Sequence, residues 1–211
     1  FSVFITGERM SLILFSSSIF LIGLGFGENL KDKLFFLFSF LLAICILIFI
    51  FNQIDPQTYS RAVTSSIDKI YNLYNSDYGM VFRTAYQTWL VNPIFGGGLH
   101  QFKDLYPLYD ISIWSNVKIY HPHNHPLSLM AETGIVGLLL FYLMVFHIMK
   151  RAINPIIKQK NWMMLALIFN LFFICFFPFM THFSFQHNWM NATTWLIVGI
   201  TLALNNRIKN V

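Results

Sequence analysis

The chain has 211 residues, of which 56% are hydrophobic and only 11% charged, with a formal net charge of +5. A soluble domain carries about 25% charged residues, so this composition excludes a water-coated globule, while a mean hydropathy of +0.58 and 24 Phe residues suit helices that face lipid. The basic residues lie between apolar runs instead of interleaving with exposed aromatics on one face, which argues against a nucleic-acid partner and for topology-setting charge.

The first residue is Phe1, and the sequence reads as the C-terminal part of a longer chain. Phe1–Ile5 has no basic n-region, so no signal peptide is expected. Five segments are apolar enough to cross a bilayer, which takes about 20 helical residues: Met10–Phe26, Leu34–Phe51, Leu127–Met149, Trp162–Met180 and Trp189–Leu204. The expected fold is therefore an all-α polytopic membrane protein with about five transmembrane helices. It forms one membrane domain over residues 1–211, with a large helical outer loop, Asn52–Pro126, between the second and third spans. Lys31 and Lys33, then Lys150, Arg151, Lys158 and Lys160, then Arg207 and Lys209 all fall on one side, whereas Thr181–Asn188 has no Lys or Arg. The positive-inside rule puts the basic side in the cytoplasm. The fragment's N-terminus and the outer loop then face outward, and Val211 faces inward. Cys45 and Cys175 lie inside apolar runs, and no disulfide or metal spacing connects them.

Within the outer stretch, Val63, Ile67, Ile70, Tyr71 and Tyr74 recur at helical spacing, as do Phe82, Ala85, Tyr86 and Trp89. Two amphipathic helices over the membrane are expected. Pro93 and Gly96–Gly98 should end the second as a flexible terminator; no strand precedes the glycines, so a phosphate loop is not expected.

Three places hold chemistry. Thr6-Gly7-Glu8-Arg9 sits at the outer end of the first span, where Arg9 either pairs with Glu8 at the interface or binds an anion at a cavity mouth. Arg83 lies on an apolar-striped helix and is either a solvated cation or an anion ligand. His121, His123 and His125 precede the third span, with Glu132 further in. They suit an interfacial cluster, a metal site completed by His182 and His187, or a general base in an outward pocket.

The stretch His123-Asn124, nine residues, Gly134, two residues, Gly137 resembles the signature of the O-antigen ligase family. Phe82-Arg83-Thr84 through Trp89, Asn92-Pro93 and Gly96-Gly97-Gly98 is similar to that family's Arg, Trp, Pro and Gly-x-Gly order in its periplasmic loop. Thr6–Arg9 resembles its Thr-x-Ser-Arg entry, with Glu8 in place of Ser. The resemblance covers nearly the whole chain. It implies a bacterial inner-membrane enzyme with a periplasmic site and no cofactor or metal. Such an enzyme transfers a glycan from an undecaprenyl diphosphate carrier to an acceptor hydroxyl by an inverting reaction, most simply O-antigen ligation to lipid A core. O-antigen polymerases and protein O-oligosaccharyltransferases share the domain. His123 and Arg83 would be catalytic, Arg9 and Arg83 would bind the donor diphosphate, and Asn124, Glu132, Gly134 and Gly137 would support them. A transporter or a non-catalytic lipid-binding subunit is the contrasting class. Against a charged transport path, the central parts of spans two, four and five hold no acidic or basic residue.

Overall fold

Leu30–Ile54 contains neither Gly nor Pro and forms one unbroken 25-residue helix. That pattern repeats along the computed structural model, which describes residues 9–26, 29–99, 101–109, 121–177 and 188–209. The side chains at 9, 10, 61, 62, 106–109, 188–190 and 204–209 lie outside that description. Among the described residues there is no strand. The helices are α1 (Arg9–Phe26), α2 (Leu30–Ile54), α3 (Pro56–Tyr59), α4 (Ser65–Tyr71), α5 (Asp77–Val91), α6 (Phe102–Tyr109), α7 (His125–Lys158), α8 (Trp162–Phe176) and α9 (Asn188–Lys209). A π-helical turn, Ser60–Thr64, joins α3 to α4, and a 3₁₀ turn, Leu73–Asn75, precedes α5.

The chain divides into two compact units, Phe1–Tyr71 with Arg151–Phe176 and Ile200–Val211, and Asn72–Lys150 with Phe177–Gly199. In the first unit, α1 packs against both α2 and α8. The approach is close because α1 carries glycines at its contacts. A Cβ on Gly25 would lie 2.7 Å from the Ala166 Cβ, and one on Gly23 would meet the Phe36 ring. Phe36 and Phe40 stack at 6.1 Å, Phe40 also meets Phe20 at 6.0 Å, and Phe51 is buried by Leu12, Leu47 and Val63. Where α2 ends, Asp55 caps α3: its carboxylate accepts from the Thr58 hydroxyl at 2.6 Å and the Thr58 N–H at 3.1 Å. Those bonds, the hydroxyl's first, hold the Asp55 carboxyl below its ordinary pKa.

Among the described residues two helices, α2 and α7, are long and apolar enough to cross a bilayer by themselves. The other three expected spans coincide with shorter apolar helices, Ser11–Phe26, Trp162–Phe176 and Asn191–Ala203. A row of large side chains on α2, among them Phe35 (73% exposed), Phe38 and Phe49, is bare. An apolar surface of that extent does not persist in water, so its surroundings are lipid. The expected third span, Leu127–Met149, is not one straight helix, because α7 breaks at Gly134. The part after the break, Ile135 to Lys158, remains about 36 Å long at 1.5 Å per residue, enough to span. Cys45 is exposed, Cys175 is buried, and neither forms a disulfide.

Candidate active site

The second unit is built around a small core of Ala85 from α5, Phe102 from α6 and Ala131 from α7, with Leu127 packed against them. On α5, Phe82 and Trp89 are half-buried and Tyr86 is exposed. Of Phe82, Ala85, Tyr86 and Trp89 only Ala85 is buried; the buried face of α5 is Gly79, Thr84, Ala85 and Thr88. Threonine tolerates this burial because each hydroxyl bonds within its own helix, Thr84 to the Met80 carbonyl at 3.0 Å and Thr88 to the Thr84 carbonyl at 2.8 Å. The other sequence-expected helix, α4 with its flanks, likewise shows Ile70 and Tyr71 to the outside.

Beside that core, the glycine run meets the helix break. Gly134 has φ +66° and ψ −169°, a conformation that in practice only glycine adopts. There the helical ladder of α7 opens, and the carbonyls of Ala131 and Glu132 lose their next-turn donors. Gly97 N–H donates to the Ala131 carbonyl at 2.9 Å and Gly98 N–H to the Glu132 carbonyl at 2.8 Å. In return, Ile135 N–H donates to the Pro93 carbonyl at 2.9 Å and Val136 N–H to the Ile94 carbonyl at 3.3 Å. Four bonds thus replace those lost by unwinding, so the opened backbone groups stay paired. The two chains touch through backbone. A Cβ on Gly96 (φ +72°) would stand 2.4 Å from the Glu132 carbonyl carbon, and one on Gly134 would stand 2.2 Å from the Ile94 oxygen. Trp89 ties α5 into the same junction, its indole N–H donating to the Pro93 carbonyl at 3.0 Å. The segment is therefore a fixed interlock and not the flexible terminator expected from its glycines.

This interlock fixes the first segment of α7, which displays the histidine motif at its N-terminus. Asn124 caps that helix: its side-chain oxygen accepts from Leu127 N–H at 3.0 Å. His123, one residue earlier, is half-buried with φ +49°, a left-handed backbone uncommon for a side chain of this kind. Its N–H donates to His121 Nδ1 at 3.4 Å, and the two rings lie 4.2 Å apart. On the other side Tyr78 of α5 meets His123 at 6.2 Å, ring edge to ring face. Tyr78 packs in turn on Phe82, and Arg83 follows on the same helix. The Arg83 guanidinium donates to the Tyr74 carbonyl and lies 4.0 Å over the Tyr74 ring. It is held from the 3₁₀ turn that packs on Gly79. Four of its five N–H donors are not used by that bond.

His125, by contrast, is turned into α7, buried with Phe141 at 5.2 Å and its Nδ1 3.4 Å from the Tyr142 hydroxyl. The three histidines thus separate: His121 and His123 share one cluster and His125 another. Glu132 is buried in the last turn before the break. Gly137 leaves room for Thr133, whose hydroxyl bonds the Leu129 carbonyl at 2.7 Å and would be 2.0 Å from a Cβ at 137. Among the described residues no three His, Cys, Asp or Glu side chains converge as a metal site; His182 and His187 lie outside those residues. So do Thr6, Gly7 and Glu8, while Arg9 opens α1 in the first unit. Sequence reasoning missed Tyr78 as the neighbour of His123, and no periodicity pairs them.

No curated protein and no solved structure matches the chain. A family model described as O-antigen ligase matches residues 1–142, a stretch that takes in Arg83, the glycine run, the histidine motif and the α7 break. With that match and the bare apolar helices described above, the chain belongs to the O-antigen ligase family, glycan transferases of bacterial membranes.

Proposed function

We propose that this protein transfers a glycan from an undecaprenyl diphosphate carrier to an acceptor hydroxyl, with lipid A core as the acceptor and the inner membrane's periplasmic face as the location. The observation that carries this reading is the grouping of His123, Tyr78 and the Arg83 helix beside a backbone interlock made from the family's own glycines. Transfer needs a base for the acceptor proton and positive charge for the leaving diphosphate. His123 takes the proton from the acceptor hydroxyl as its oxygen attacks the anomeric carbon. The anomeric carbon–oxygen bond breaks on the opposite face, so configuration inverts, and the electron pair leaves with the carrier diphosphate. Arg83 meets that charge with the N–H donors not engaged by Tyr74, and Arg9 is the second arginine for the diphosphate. No divalent ion takes part.

On this reading the chain crosses the membrane five times, with Lys31, Lys150 and Arg207 on the cytoplasmic side and the chemistry outside. Asn124 supports His123 through the helix that it caps, and Glu132, Gly134 and Gly137 through the shape of α7. The test is transfer by the reconstituted full-length protein from a lipid diphosphate donor, offered lipid A core, a Ser-containing peptide or a second donor as acceptor. His123→Ala should slow transfer about 10²–10⁴-fold while leaving donor binding intact, and EDTA should have no effect. Undiminished transfer by His123→Ala removes the base assignment. Activity lost to EDTA and restored by zinc overturns the metal-free mechanism, and preference for peptide or donor moves the protein to the sister reactions.

A further inference from the structure

We infer that the end of the first unit where α7 finishes and α8 begins is a binding site for the phosphodiester headgroup of an anionic phospholipid. An open recess of about 510 Å³ lies there, lined by Arg151, Asn154, Pro155 and Lys158. Arg151 and Lys158 are seven residues apart, nearly two full helical turns, so both project from one face with Asn154 between them. Pro155 stands inside the helix and brings no N–H to the Arg151 carbonyl, which loosens the backbone where the recess opens. The opposite face is anchored, with Ala152 and Ile156 fully buried.

A tight turn follows the recess in the chain. Gln159 N–H bonds the Pro155 carbonyl at 3.2 Å, Lys160 N–H the Ile157 carbonyl at 3.0 Å, and Asn161 caps α8 through Met164 N–H at 3.0 Å. Lys160 sits in that turn at φ +54°. A second basic cluster, distant in sequence, reaches the same end. Gly25, near the end of α1, meets the Trp162 carbonyl, Met163 and Ala166 at the start of α8. Lys31 and Lys33 follow directly on the first turn of α2. Within the described segments 30–33 and 151–162, these five cations are accompanied by one carboxylate, Asp32. The C-terminal end of α7 carries a partial negative charge of about half a unit, outweighed by the full charges of Arg151 and Lys158 within the recess itself.

The surroundings select a lipid over a soluble anion. Trp162 is 53% exposed and Ile157 48% exposed beside the recess, and Phe35, one turn beyond Lys31, is bare. An amphipathic ring at headgroup level with apolar side chains below and cations above matches a phospholipid from phosphate to acyl chain.

Native mass spectrometry of the full-length protein, after equal exposure to phosphatidylglycerol and phosphatidylcholine nanodiscs, measures the retained lipid. The expected result is a preference for phosphatidylglycerol of about tenfold or more, cut to near parity in Arg151→Gln/Lys158→Gln. Lys158→Gln alone, at an exposed position that folding tolerates, should give an intermediate loss. The charge-matched control Lys103→Gln should keep the full preference. A preference that survives the double substitution overturns the site. So does one that falls equally in the control, which marks unspecific surface charge. Inorganic phosphate that displaces the lipid and stabilises the protein as well as phosphatidylglycerol overturns the lipid assignment.

Discussion

In the first unit, Gly23 and Gly25 lie within a regular helix, and what presses on them is a Phe36 ring on one side and the α8 backbone with Ala166 on the other. In the second, Gly96 and Gly134 have positive φ, and what presses on each is the other segment's main chain, joined to it by four hydrogen bonds. The same residue type thus acts in two ways. One is the small-residue packing common between membrane helices, where close approach comes from dispersion contacts spread over many atoms. The other is a junction whose backbone torsions and hydrogen bonds require each other, so it has no partly formed version. A substitution at Gly23 can be absorbed by a side chain that moves; one at Gly96 or Gly134 must move a backbone that is bonded at both ends.

Gly134→Ala should break this contrast most severely if it is wrong. A Cβ there combines an essentially glycine-only conformation, worth about 1–3 kcal/mol, with a clash against the Ile94 oxygen. Little folded protein should be recovered in detergent, and glycan transfer should be undetectable. Near-normal yield and transfer would mean that the break is not a rigid junction.

Gly96→Ala should come next. It removes no hydrogen bond directly, but positive φ and contact with Glu132 and Thr133 should lower stability by about 2–3 kcal/mol. Thermal unfolding followed by tryptophan fluorescence reads this, because Trp89 bonds into the junction.

Asn124→Ala tests how strongly the histidine motif depends on its helix cap. Loss of the bond to Leu127 N–H should cost about 1 kcal/mol, and Asn124→Asp, an equally good cap, should restore most of it. Restored stability without restored transfer would give Asn124 a role beyond capping.

The smallest effect is expected for Gly23→Ala in the first unit. Alanine gains about 1 kcal/mol of helix propensity over glycine, offset by the shift it requires of the far end of the Phe36 side chain. The net change in unfolding should stay within about 1 kcal/mol. A loss as large as that of Gly134→Ala would erase the distinction between the two kinds of glycine.

Composition and hydropathy determined that this is an all-helical membrane protein, because the free energy of burying Phe, Leu and Ile runs depends on local composition alone. The motif spacing from His123 to Gly137 determined its family, and α2 follows from an apolar run free of breakers. Other features depended on contacts between residues far apart in the chain. No periodicity reveals that Gly97 and Gly98 serve the carbonyls of Ala131 and Glu132, since a hydrogen bond across more than thirty residues leaves no local pattern. For the same reason the third apolar run gave no sign of its break: a glycine inside a helix pattern is compatible with straight and unwound backbone alike, and only the bonds donated to the Pro93 and Ile94 carbonyls decide between them. The inward turn of His125, the pairing of His123 with Tyr78 and the exposure of Tyr86 on α5 were likewise decided by tertiary packing. Each depends on which face the small core of Ala85, Phe102 and Ala131 claims.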